Sequence, residues 1–150
     1  IFLTLPLAFL FLAGLAQKFP HLLGNGRMVA QEVINGISWK TALLLFILKA
    51  LVVLLTLWAG AYGGTLTPSF ALGMAGAALL TLAFGLEASS TILLIGAVCF
   101  LTVTLNAPFS ATGLVIGFTG QGLEALPYLL LTAVLTYCLT QRLDRLMGKK

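Results

Sequence analysis

Charged residues are scarce in this chain, at 8% of its 150 amino acids, whereas soluble domains carry about 25%. Only four acidic residues and one histidine occur, and neither of the two cysteines has the histidine at metal-site spacing. The scarcity of charge excludes an ordinary soluble domain. The lack of any constellation suited to acid–base, nucleophilic or metal chemistry indicates that the chain is not an enzyme and requires no cofactor.

Long apolar stretches make up most of the sequence. No charged residue occurs in the windows 1–17, 50–86, 88–123 and 125–141, and 60% of the chain is hydrophobic, with a mean hydropathy of +1.11. A membrane-spanning helix needs about 20 mainly apolar residues, so the windows predict an all-α, multi-pass membrane protein of about five or six segments. Because an apolar segment begins at once with Ile1, we interpret the chain as a fragment of a longer protein.

Basic residues concentrate in the final stretch QRLDRLMGKK, which contains four of the eight in the chain. Such a tail after a membrane helix favours the cytoplasmic side and would also suit anionic lipid headgroups. The connection 18–40 is basic too, through Lys18, Arg27 and Lys40, so loop charge does not decide the topology. The tail is too short to indicate a nucleic acid partner.

The most informative motif lies between two apolar runs, where Gly-Gly precedes Thr-Leu-Thr-Pro. Irregular backbone at membrane depth is tolerated only where it is buried in protein or lines a polar cavity. Proline fits the first turn of a new helix, and we expect that helix over 67–86. Its free N–H groups would bind an anion at the positive end of the helix dipole. The candidate anion-binding residues are Gly63, Gly64, Thr65, Leu66, Thr67 and Pro68.

The Gly-Gly motif also fits a second interpretation, in which a bent helix packs closely on a neighbour and binds no ligand. Other helices are predicted around this motif, and the one at 108–118 is too short to cross a membrane. Interrupted and short hydrophobic segments are typical of transporter binding sites. The predicted helices are 1–17, 27–36 at the interface, 41–60, 90–105 with Ser89 or Ser90 as its cap, 108–118 and 124–146.

Three further features carry predictions. Lys49 lies within an apolar run and should face protein or water; it either adds positive potential to an anion path or pairs near a helix end. Gly73, Gly76 and Ala77 make one helix face small enough for close helix packing. The run Asn106-Ala107-Pro108 is expected to be a structural cap of a helix, although it could also lie near an ion.

Three stretches of this chain resemble the CLC family of chloride channels and chloride/proton antiporters. GGTLTPSFALGMAGA, at 63–77, is similar to the anion-site motif of the family and the helix behind it. GAVCFLTVTLNAPFSATGLVIGF, at 96–118, resembles a second family stretch, and FPHLLGNGRMVAQEVINGI, at 19–37, resembles a connection with a short helix. The motifs are specific in combination, and the resemblance extends over nearly the whole chain.

The resemblance implies one half of an inverted-repeat, CLC-type transporter: a helical membrane bundle with broken and re-entrant helices. The chain, 1–150, resembles the C-terminal half, which would pair with an N-terminal half in the lipid bilayer. The family works as a homodimer, here through about 108–140, with one ion path per subunit. Thr65 and Leu66 would donate their N–H groups to chloride. A bacterial inner membrane is the expected location.

Two positions depart from the family pattern. Leu66 stands where the family usually has phenylalanine, and Gly117 where many members have glutamate. No residue matches the central tyrosine of the family, because Tyr137 comes too early, and the gating glutamate loop belongs to the N-terminal half. Channel and antiporter therefore both stay open.

Two alternatives also remain open. One is a fluoride/proton antiporter of the same family, since fluoride favours hydroxyl donors such as those flanking Leu66. The other is a non-transporting assembly subunit of the membrane. A cation or organic-substrate carrier is disfavoured, because it would be expected to bury carboxylates and no acidic residue occurs between 33 and 86 or between 88 and 123.

Overall fold

A computed structural model describes residues 38–58, 66–87 and 89–148, together with positions 6, 10, 13, 14, 17, 35 and 36. All regular structure in this part of the chain is helical, which confirms the all-α prediction. The predicted interfacial helix at 27–36 lies almost wholly outside the described residues. The helices are α1 (Trp39–Trp58), α2 (Leu66–Ala83), α3 (Ser90–Leu105), α4 (Pro108–Thr119) and α5 (Leu126–Leu146), with a 3-10 turn at Leu123–Ala125.

Local capping explains where the first two helices depart from their expected bounds. Helix α1 begins before residue 41 because the Ser38 hydroxyl accepts the N–H of Thr41 at 3.4 Å. Helix α2 ends before residue 86 because Gly85 adopts a left-handed conformation, with φ of 70°. The N–H of Leu86 donates to the Thr81 carbonyl at 3.0 Å and that of Gly85 to the Leu82 carbonyl at 3.0 Å, which is a Schellman cap.

The later helices follow the sequence signals closely. Helix α3 spans the predicted residues, and the Ser89 side chain caps it by accepting the N–H of Ile92. Helix α4 starts with a proline in its first turn and ends at Gly120, whose φ is 65°. The last helix was expected from residue 124, but its first residues form the 3-10 turn, and α5 itself starts at Leu126 with Pro127 in its first turn.

Two glycines bring α2 and α3 into backbone contact. A Cβ atom on Gly73 would lie 2.6 Å from the Gly96 carbonyl oxygen and 2.8 Å from Cα of Ala97. A Cβ atom on Gly96 would likewise collide with Ala77 and with the Gly73 carbonyl. Only glycine fits at either position, so the predicted close packing of the small α2 face is confirmed.

The other helices pack around this pair. Helix α1 lies on α2, where the Phe46 ring faces Gly76 and Leu45 contacts Ala75. Helices α4 and α5 pack against α3 and close the main core. Its largest members, all buried, are Phe70, Met74, Leu93, Leu94, Val98, Leu101, Val115 and Leu129.

Helix lengths agree with a membrane setting. Helix α2, with 18 residues, and the segment Leu123–Leu146, with 24, are long and apolar enough to cross a membrane. Helix α1 has 20 residues and a length of about 30 Å, close to the thickness of the hydrocarbon core. Helix α4 has 12 residues and reaches only about 18 Å, so the prediction of a short helix that does not span is confirmed.

We expect alanine at Gly73 to destabilise the full-length protein by about 1–3 kcal/mol, because its methyl group would press against the α3 backbone. Gly76→Ala is the matched control on the same helix. Its methyl group would meet only the edge of the Phe46 ring, at 3.4 Å. Thermal unfolding in detergent measures both variants. Equal midpoints for the two would contradict the backbone contact.

A second prediction concerns Thr102, whose hydroxyl is buried and has no hydrogen-bond partner among the described residues. The equally buried Thr112 hydroxyl donates to the Pro108 carbonyl at 2.9 Å. We expect Thr102→Val to raise the free energy of unfolding by about 1 kcal/mol, since it removes an unsatisfied polar group, and Thr112→Val to lower it. Denaturant unfolding measures both free energies. If Thr102→Val lowered the free energy of unfolding as Thr112→Val does, the Thr102 hydroxyl would have a hydrogen-bond partner in the folded protein.

Candidate functional site

The candidate site lies at the start of α2, where the described residues begin again at Leu66. Of the predicted anion-binding residues, Leu66, Thr67 and Pro68 form the first turn of α2, and each is half-buried. Gly63, Gly64 and Thr65 lie outside the described residues. The helix starts one position earlier than expected, so Leu66 belongs to the helix rather than to the turn before it.

Two backbone N–H groups at this helix start have no acceptor within α2. The first N–H groups of an α-helix lack a carbonyl four residues earlier, which here applies to Leu66 and Thr67. Pro68 follows in the same turn and has no N–H at all. These two groups carry the positive end of the helix dipole, equivalent to about half an elementary charge. A helix start of this kind can attract an anion without a cationic side chain, so the first turn of α2 stays the candidate site.

Aromatic packing holds this turn in place. The Phe70 ring is buried and meets the Phe118 ring of α4 edge to face, with centroids 5.8 Å apart. Leu66 packs against the main core, and the Ser69 side chain next to it is buried. The last turn of α4 thus lies beside the second turn of α2. This contact joins residues 48 positions apart and holds the second turn of α2 against α4.

No acidic side chain on α2 or α3 competes for the positive helix end, since neither helix contains one. Glu87 follows the opposite end of α2, roughly 27 Å away along the helix axis. Glu124 is exposed in the 3-10 turn before α5. Among the described residues, no carboxylate of α2 or α3 therefore offsets the positive end of the helix dipole.

Lys49 is a buried cation on α1, the described helix that precedes α2 in the chain. Its side chain is only 3% exposed, so it faces protein rather than lipid, as predicted. It lies on α1 one turn beyond Phe46, toward the end of the helix that leads into α2. That Lys49 adds positive potential to an anion path stays a prediction.

The second sequence candidate, the run from Asn106 to Pro108, caps helices as expected. Asn106 ends α3 in the left-handed conformation, with φ of 53°, which asparagine tolerates. Ala107 is the N-cap of α4, although it forms no side-chain cap hydrogen bond. The Asn106 side chain therefore serves the end of α3 rather than the start of α4.

Two long-range hydrogen bonds connect α3 to α5. The sequence did not predict either of them. The Gln141 side-chain amide donates to the Asn106 side-chain oxygen at 3.2 Å, and the Thr136 hydroxyl donates to the Cys99 sulfur at 3.2 Å. These partners lie 35 and 37 positions apart, so no local pattern could have revealed them. Both support the helix frame rather than a ligand.

An open apolar groove of about 430 Å³ runs between α1, α2 and α3. Its lining includes Phe46, Leu80, Ile92 and Phe100, which offer no donor to an anion. Within the described part of the chain, no group of histidine, cysteine and carboxylate side chains could hold a metal ion. The groove therefore does not compete with the start of α2 as the candidate anion site.

Comparison with known proteins gave one match. The family model described as voltage gated chloride channel matches residues 1–141. No match was found among curated proteins or among solved structures. The matched range contains all six predicted anion-binding residues and every described helix except the last turns of α5.

The left-handed residue at the end of α3 yields a prediction. Asn106→Ala should lower the free energy of unfolding by about 1–2 kcal/mol, because alanine disfavours this backbone and also loses the bond from Gln141. Asn106→Gly keeps the backbone conformation accessible, and Gln141→Ala removes only the hydrogen bond, so both should cost less. Chemical unfolding ranks the three variants. An Asn106→Ala protein as stable as the other two would contradict the assigned role.

Proposed function

Because this chain belongs to the voltage-gated chloride channel family, we propose that it forms one half of an anion pathway through a membrane, with the anion held at the start of α2. Members of this family are membrane proteins that transport anions rather than enzymes. The match runs through residue 141, so it includes the helix that carries the candidate site. The chain would function as the C-terminal half, 1–150, together with an N-terminal half of the same protein.

The observation that carries the proposal is the first turn of α2. Leu66 and Thr67 begin the helix in half-buried positions, and no carboxylate lies on this helix or on α3. An anion bound there would accept hydrogen bonds from the N–H groups of Leu66 and, by resemblance to the family, Thr65. The Gly63-Gly64 pair before them would let the ion approach the backbone closely.

Backbone amides suit transport better than a buried arginine or lysine would. A full charge in a dry site binds an anion so tightly that it leaves slowly, whereas partial charges give binding weak enough for release. Helix ends directed at a midplane site are also a general feature of transporters with interrupted helices. The chain would need no cofactor, and chloride is the expected transported ion.

Fluoride is the second candidate ion, and one observation favours it. Hydroxyl groups flank Leu66 on both sides, in Thr65 and Thr67, where they can add strong donors to the amides. A compact, strongly hydrated anion gains more from such donors than chloride does. Under this alternative the protein would exchange fluoride for protons. The choice between a channel and a proton-coupled antiporter depends on residues of the N-terminal half.

Exposed apolar faces support the proposed partners. Phe109 on α4 is 72% exposed, and Leu131 and Leu135 on α5 are 63% and 55% exposed. Such side chains are expected to be covered by lipid or protein in the native membrane. A homodimer through about 108–140 would cover part of this surface, and the lipid bilayer the rest. A bacterial inner membrane is the proposed location.

The proposal predicts that a carboxylate at the helix start blocks transport. Thr65→Asp in the full-length protein should reduce chloride or fluoride efflux from liposomes at least about tenfold, because like charges repel in a dry site. Gln121→Asp is the control, since it adds the same charge in an exposed turn. Efflux recorded with an ion-selective electrode measures both variants.

Unchanged efflux by Thr65→Asp would defeat the assignment of the site. A separate binding measurement distinguishes transport from a purely structural membrane subunit. Gly64→Val should weaken anion binding to the purified full-length protein, because a branched side chain restricts the turn and blocks the approach to the backbone. Absence of anion binding to the wild-type protein, measured by titration calorimetry, would favour the assembly subunit.

A further inference from the structure

The last two turns of α5 combine exposed cations with exposed leucines. We propose that this surface, the α5 collar, binds the headgroup of an anionic phospholipid and thereby anchors the protein in membranes rich in such lipid. The inference goes beyond ion transport and does not depend on where the anion binds. The collar consists of Leu139, Arg142, Leu143, Arg145, Leu146 and Met147.

The exposure of these side chains is the first step of the argument. Leu139 is 63% exposed, Leu143 55% and Leu146 83%, and the arginines between them are exposed as well. Large apolar side chains placed beside arginines at the end of a long apolar helix match the boundary between acyl chains and headgroups. If this face were in contact with water alone, the apolar surface of these leucines would stay exposed to it, which is unfavourable.

Helix geometry separates the two arginines from Asp144, the carboxylate within α5. At 3.6 residues per turn, Arg142 and Arg145 continue the exposed stripe that contains Leu131 and Leu135. Asp144 falls on the opposite side, toward the body of the protein, and is half-buried. The outward face of the collar therefore carries positive charge without an acidic neighbour on the same face of α5.

Long-range contacts hold the collar in a fixed orientation. The Gln141 amide, next to Arg142 in sequence, donates to Asn106 at the end of α3. One and a half turns earlier, the Thr136 hydroxyl donates to the Cys99 sulfur. Because α5 is attached to α3 at both points, the arginines are presented outward rather than free to rotate with the helix.

Charge complementarity selects an anionic phospholipid as the occupant. A guanidinium group binds a phosphate through two parallel hydrogen bonds, and two arginines three residues apart lie on adjacent turns of one face. The exposed leucines beside them would contact the first methylene groups of the acyl chains. The sequence continues with Lys149 and Lys150, which raises the positive charge of this end further. The collar lies almost wholly beyond the segment 108–140 but continues the same exposed stripe of α5, so the test separates lipid from a second copy.

The test uses the full-length protein in bilayers of phosphatidylcholine that contain spin-labelled phosphatidylglycerol or spin-labelled phosphatidylcholine. Electron paramagnetic resonance measures the fraction of each label that the protein immobilises. We expect wild type to prefer phosphatidylglycerol, and each of Arg142→Gln and Arg145→Gln to reduce that preference about fivefold. Lys40→Gln, which removes an exposed cation from the start of α1, should leave it unchanged.

Several results would overturn the proposal. These are equal immobilisation of both lipids by wild type, an unchanged preference in the arginine variants, or a loss of preference in Lys40→Gln as large as in Arg142→Gln. If Arg142→Gln or Arg145→Gln changed the oligomeric state of the protein in lipid-free detergent, the collar would instead be a contact between two copies of the protein.

Added salt should weaken the preference of the wild-type protein for phosphatidylglycerol, which tests the role of charge without any variant. Arg142→Lys, which keeps the charge but loses the paired hydrogen bonds, should reduce the preference less than Arg142→Gln does. Anion efflux is measured separately, so failure here leaves the proposed ion site untouched.

Discussion

The backbone contact between α2 and α3 is the constraint on which the rest of the structure depends. Gly73 and Gly96 allow a helix–helix approach that any larger residue would prevent. Helix α3 then serves as the centre of the bundle, with α2 on one side and the α4 and α5 helices on the others. Through the Phe70–Phe118 contact the same arrangement fixes the first turn of α2. Packing of small residues thus determines where the proposed anion donors lie.

The distribution of charge follows from the membrane setting. Free N–H groups at a helix start are a liability in lipid unless something accepts their hydrogen bonds, and an anion can fill that role. Among the described residues, the carboxylates lie near helix ends and the arginines lie in the last turns of α5. Lys49 is the buried exception, and it is a cation. An anion pathway in a bilayer is served by partial charges of backbone N–H groups in the protein interior and by fully charged side chains near the helix ends.

Local chemistry explains which features the sequence predicted. Ser89, Pro108 and the glycines of α2 act through their immediate neighbours, so the bounds of α3, the start of α4 and the close packing followed from the residues alone. The run from Asn106 to Pro108 was expected to act as a cap and does. Which helix Asn106 caps could not be predicted, because an asparagine before a proline-started helix fits two caps and only the backbone conformation decides between them. The bond from Gln141 depends on tertiary packing and has no signal in the sequence.

The central claim is that backbone N–H groups at the start of α2 hold the transported anion. Crystals of the full-length protein soaked in bromide, and measured at the bromine absorption edge, test this directly. The account predicts an anomalous peak within hydrogen-bonding distance of the Leu66 nitrogen. A side-chain or carbonyl oxygen of the protein in that place, or bromide found only elsewhere in the membrane domain, would contradict it.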